Sequence, residues 1–141
     1  MYQHLHRWRA LALVASALYV AIGLTFSSVP MFADVTSSRT MWRKVAFLLS
    51  AIVYLAHLVV ERRTRGPART ASLHVATGVA LGGFGLAVAA NVHSFSLPSA
   101  NKLLLTSALI LWPILTGVPA FVVALGLTTL GSQRGKSADM A

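Results

Sequence analysis

Four apolar stretches, near residues 10–29, 42–60, 72–92 and 103–130, fill most of this 141-residue chain. Each has about the ~20 residues that a helix needs to cross ~30 Å of hydrocarbon. That length dictates a membrane protein. The composition agrees: 56% of residues are hydrophobic and only 11% charged, with a mean hydropathy of +0.71. A water-soluble fold would have to hide more apolar surface than so short a chain encloses, because small domains bury the smaller fraction of their surface. The expected fold is all-α and polytopic, a four-transmembrane-helix bundle running up-down-up-down. Residues 1–130 form its single domain, and residues 131–141 read as a disordered cytoplasmic tail.

The first stretch follows a basic leader, residues 1–9, and so resembles either a signal peptide or an uncleaved span. A signal peptide needs a small-residue cleavage site after its apolar core, and the sequence Gly23-Leu24-Thr25-Phe26-Ser27-Ser28 offers a poor one. An uncleaved span is expected. The second stretch is short unless Arg43 and Lys44 lie in its first turn and extend to the headgroups.

Lys and Arg concentrate in cytoplasmic loops, so their distribution orients the chain. An inside amino terminus puts eight on the cytoplasmic side: Arg7, Arg9, Arg62, Arg63, Arg65, Arg69, Arg134 and Lys136. Four remain outside, namely Arg39, Arg43, Lys44 and Lys102. Both termini are therefore expected in the cytoplasm, with the bundle in the plasma membrane. The net charge of +9 does not imply nucleic acid, since no soluble domain is available to present a basic patch. Anionic lipid is the simpler partner.

Polar residues inside spans are costly and mark candidate sites. In span two, Arg43, Phe47, Ser50, Tyr54, His57 and Glu61 recur at spacings of four and three, which aligns them along one side of a helix. His57 and Glu61 are one turn apart, and the short connection to span three returns His74 to a similar depth. A cluster of His57, Glu61 and His74 follows as an expectation. It could pass protons, hold a metal, ligate haem through His57 and His74, or form an ion pair with neighbouring arginines; of these a metal site is not the expected use. Span three also carries Gly78, Gly82 and Gly85, a small-residue stripe that suits close helix packing, with Ala80 expected to face lipid. His93 lies 19 residues after His74, a rotation of about 100° that keeps the two histidines off a common straight face. In span four, Pro113 and Pro119 each remove a backbone donor, freeing the carbonyls of Leu109 and Leu115, so a kink is expected, with Thr116 near enough to re-satisfy freed groups.

Enzyme chemistry finds little support. The chain has no Gly-rich phosphate loop, no Gly-x-Ser-x-Gly elbow and no His-Glu-x-x-His pair, and its only carboxylates are Asp34, Glu61 and Asp139. With no cysteine, disulfides and thiolate chemistry are excluded together. His4 and His6 form a His-x-His pair on the leader, weak grounds for a metal site. Small drug exporters share the length and the four spans, but they depend on an acidic residue deep in the first span, where this chain has no charge. The expected role is a non-catalytic accessory or assembly subunit of a larger membrane complex, partnered by other subunits or by its own copies. The alternatives are a haem-binding or proton-conducting subunit built on His57, Glu61 and His74, and a small transporter bending at Pro113 to Pro119.

Overall fold

The computed structural model describes residues 2–28, 36–65, 67–94 and 101–138. It is all-helical: α1 (Tyr2–Ser28), α2 (Thr36–Arg65), α3 (Ala68–Ser94) and α4 (Lys102–Ala138). Each helix contains a segment long and apolar enough to cross a membrane, namely Trp8–Phe26, Thr40–Thr64, Ala68–Ser94 and Lys102–Thr129. The backbone reason is simple, because a helix satisfies its own N–H and C=O groups where no water reaches.

The helices run longer than the apolar stretches. The basic leader is helical from Tyr2 onward, and α4 continues through residues 131–138, where a disordered tail was expected. No proline follows Pro119, and a helix already nucleated in the membrane adds further residues cheaply. Residues 139–141 lie outside the described residues. Between α2 and α3 the link shortens to residues 66–67. Pro67 starts α3, its carbonyl accepting from the backbone N–H groups of Thr70 at 3.1 Å and Ala71 at 3.2 Å. Asn101 caps α4: its side-chain oxygen accepts from the N–H of Leu104 at 3.3 Å.

Helix α3 is the hub, touching all three others and most extensively α4 and α1. The pairings give the helix directions. Asn91 meets Leu105 and Gly83 meets Thr116, so α3 and α4 are antiparallel. Phe26 packs on Trp42 with ring centroids 5.8 Å apart, so α1 and α2 turn back on each other. Trp8 meets His74 and Gly85 meets Val20, which makes α1 and α3 parallel. The up-down-up-down order follows.

Glycine allows the closest approaches. A Cβ built on Gly82 would stand 2.8 Å from Cβ of Tyr19, and one on Gly83 would stand 2.6 Å from Oγ1 of Thr116. Gly78 faces the ring of His57 and the carbonyl of Ala12, and Gly85 faces Val20. The stripe of Gly78, Gly82 and Gly85 thus seats α1 on α3, with His57 of α2 entering at Gly78. Ala80 faces inward, contrary to the expectation from sequence: a Cβ on Gly117 would lie 3.0 Å from Cβ of Ala80. Because α3 has helices on opposite sides, it has less lipid-facing surface than its neighbours.

Candidate functional site

Near the end of the bundle where α2 turns into α3, three helices bury polar groups: α2, α3 and α4. Glu61 has the largest fully buried side chain among the described residues. Nδ1 of His74 lies 2.9 Å from Oε2 of Glu61, the imidazole donating to the carboxylate across the α2–α3 hairpin. The ring of His74 stacks on Trp8 of α1, with centroids 4.6 Å apart and planes within 6°. The Arg9 guanidinium lies 5.8 Å from the Trp8 ring centre. A carboxylate at a bundle end, paired and walled by aromatic surface, holds three helices at one point.

Around this node the other buried polar groups close on themselves. Ser72 donates to the carbonyl of Ala68 at 2.8 Å, and Thr128 of α4 donates to the carbonyl of Leu125 at 2.9 Å. Two turns deeper, the hydroxyl of Tyr54 donates to the carbonyl of Ala120 at 2.6 Å, joining α2 to α4. Leu58, Val75 and Ala124 form the apolar cluster beside it.

His57 behaves differently. It is 6% exposed, and neither ring nitrogen has a hydrogen-bond partner in the protein. Its ring edge rests on Gly78, one turn along α3 from His74. Leaving such a group unsatisfied costs about 1–3 kcal/mol, so the position is an unusual use of a polar residue. Tyr19, whose Cβ and ring base pack against Gly82 in the next turn, has its hydroxyl buried without a partner as well.

Of the trio expected from the sequence, Glu61 and His74 are in direct contact, while His57 occupies the adjacent turn. The line from Arg43 to Glu61 is covered only in part. Tyr54, His57 and Glu61 face the bundle, whereas Phe47 is 77% exposed and Arg43 is exposed too. The expectation of one inward stripe fails at that end, because no helix among the described residues covers this face of α2 beyond Ser50. His93 is exposed in the last turn of α3. The residues His4 and His6 lie on the helical backbone of α1. Among the described residues, no three His, Asp or Glu side chains are grouped to hold a metal ion.

In α4 both prolines sit within one continuous helix. Thr116 donates to the carbonyl of Trp112 at 2.8 Å, one turn back, rather than to the freed carbonyls of Leu109 or Leu115. Three contributors escaped the sequence reading: Trp8, Tyr19 and Asn91. The signal for Trp8 was its place at a membrane edge, where tryptophan is enriched. For Asn91 it was an amide inside an apolar span; its Nδ2 donates to the carbonyls of Leu105 at 2.6 Å and Ala87 at 2.9 Å.

No protein-family model matches the chain, and comparison with curated proteins and with solved structures gives no match.

Proposed function

We propose that this chain is a small non-catalytic subunit of the plasma membrane, with both termini in the cytoplasm, that serves as an accessory or assembly partner of a larger membrane complex. The observation that carries the reading is the uncovered face of α2. The line that is buried at His57 and Glu61 and partly buried at Tyr54 continues through Ser50 to Phe47 and Arg43, where no helix among the described residues covers it. An arginine near the headgroups beside a protruding aromatic suits a partner helix better than lipid tails. Only 17–33% of each apolar segment is buried within the chain, so ample surface remains for such contact. The polar groups at the node meanwhile tie the chain's own helices together, which supports a scaffold more than a solute path.

The test is a photo-crosslinking residue placed at position 47 in native membranes, with a second at Val92, which is 64% exposed on α3. A discrete protein adduct at 47 and lipid adducts at 92, with the same partner co-purifying in mild detergent, is the expected result. Lipid adducts at both positions would overturn the reading. A haem-binding or proton-conducting subunit is the second reading, favoured by the unpartnered ring of His57. An absorbance spectrum of the same purified sample tests its haem form, since a bis-histidine haem protein would show a haem band.

A further inference from the structure

At the end of the bundle where α2 turns into α3, three helices each present an exposed arginine: Arg9 on α1, Arg63 on α2 and Arg69 on α3. Each lies one residue inside the end of its apolar segment, Trp8–Phe26, Thr40–Thr64 and Ala68–Ser94 respectively. They therefore share about one level, where hydrocarbon gives way to headgroups. No carboxylate among the described residues pairs with any of the three, and Glu61, at the same end, is fully buried and engaged by His74. One turn deeper on the same face as each arginine stands an exposed aliphatic side chain: Leu13 at 60%, Val59 at 47% and Leu73 at 50% exposure.

We infer that this collar is a binding surface for anionic phospholipids, with Arg9, Arg63 and Arg69 taking the headgroup phosphates and Leu13, Val59 and Leu73 meeting the acyl chains below. The choice of cation supports it. Residues 1–9 and 61–71 hold six Lys or Arg side chains and all are arginine, whereas Lys44 and Lys102 make up two of the four on the opposite side. Orientation in the membrane weighs Lys and Arg alike, so it does not account for that difference. A guanidinium presents a planar fork that pairs bidentately with phosphate, where an ammonium acts as a point charge. Arg9 is also held in place, 5.8 Å from the ring centre of Trp8, which itself stacks on His74. Position selects lipid over other anions. A soluble acidic partner would have to displace headgroups to reach side chains at the hydrocarbon edge, and a free phosphate would gain nothing from the aliphatic residues below. Charge selects anionic lipid over phosphatidylcholine, whose ammonium group the arginines repel.

The inference is independent of the accessory-subunit reading, because three helices of this chain form the collar without a partner. The experiment places the full chain in phosphatidylcholine vesicles with a trace of phosphatidylglycerol that carries a diazirine on its headgroup. After illumination, mass spectrometry locates the adducts, which should map to residues 8–9 and 62–70. Unlabelled phosphatidylglycerol should suppress this labelling about fivefold more effectively than added phosphatidylcholine, the effect of one arginine at an anionic surface. Arg9→Gln, Arg63→Gln and Arg69→Gln combined should bring the two competitors to within about 1.5-fold of each other. Arg9→Lys, Arg63→Lys and Arg69→Lys combined keep every charge but lose the fork, so only about half of the preference should remain. Arg43→Gln with Lys44→Gln, toward the opposite end of α2, should leave labelling at this end unchanged, and inorganic phosphate should not compete. Equal competition by the two lipids, an unchanged preference in the glutamine or the lysine variant, or displacement by inorganic phosphate would each overturn the inference. The competition on the parent chain needs no variant, so the outcome does not depend on how well the variants fold. Both leaflets contain the probe, so the readout is the same for either orientation of the chain.

Discussion

The carboxylate of Glu61, fully buried, accepts a hydrogen bond from Nδ1 of His74 at 2.9 Å, and this contact closes the two-residue link between α2 and α3. Because Trp8 covers the ring of His74, the same contact also fixes α1 against the hairpin. Breaking one partner of a buried pair costs about 3–5 kcal/mol, since the other group is left unpaired. Glu61→Ala should therefore destabilise the protein by roughly 3 kcal/mol in detergent, at the lower end because His74 remains 17% exposed. His74→Ala should cost a comparable amount. In the double variant the losses should fall short of additivity by at least about 1 kcal/mol. Strictly additive losses would mean that the two residues act separately.

The glycine stripe of α3 makes a second prediction. Gly82→Leu drives a side chain into Tyr19, and overpacking of this kind costs about 1–3 kcal/mol. Gly126 of α4 is the control, because a Cβ there meets nothing within 4 Å. Gly126→Ala should be neutral or stabilise by up to about 1 kcal/mol through helix propensity. Thermal unfolding of both variants in one detergent decides the matter, and equal tolerance at the two sites would refute the close α1–α3 contact.

The helices themselves were legible because span length is a local property of sequence, readable without knowing any neighbour. Contact between Glu61 and His74 was legible for a related reason: a short connection returns the chain to the same depth. Rotation and splay were not. Phe47 and Tyr54 belong to one periodic line, yet Tyr54 bonds to α4 while Phe47 is bare, because the line records which residues share a face and not how far a neighbouring helix extends along it. Ala80 was misread for the mirror-image reason. Its own face looks unremarkable, and only Gly117 on the opposing helix shows that α4 packs there. The carboxyl end failed through composition: polar residues at 131–138 suggested a tail, while the helical backbone of α4 runs on beyond its apolar segment.

Orientation supplies the third prediction. Thr36 and Arg65 stand at opposite ends of α2, and the excess of Lys and Arg near Arg65 predicts a cytoplasmic position for that end. The native chain has no cysteine, so Thr36→Cys and Arg65→Cys each introduce a single reactive thiol. An impermeant thiol reagent applied to intact cells should label the variant at position 36 and spare that at 65. The opposite pattern would invert the topology.

The last prediction weighs two hydrogen bonds that tie α4 to the rest of the bundle. Tyr54 donates to the carbonyl of Ala120 at 2.6 Å, and Asn91 donates to that of Leu105 at 2.6 Å. Side-chain hydrogen bonds between membrane helices average only about 0.6 kcal/mol and reach about 1.7, because the unfolded chain in the membrane also finds partners. Packing should therefore outweigh them, since Gly83 and Gly117 already bring the α3 and α4 backbones together. Tyr54→Phe keeps the ring against Leu58 and Ala124 and removes only the hydroxyl, so its cost should stay below about 1 kcal/mol. Asn91→Ala should lose slightly more, because its amide also bonds to Ala87 within α3. The two sites lie at different depths and share no partner, so their effects should add within about 0.5 kcal/mol. Thermal unfolding of both single variants and the double variant tests this. A loss above about 2 kcal/mol from Tyr54→Phe alone would show that the hydroxyl, and not the glycine-mediated packing, holds α4 in place.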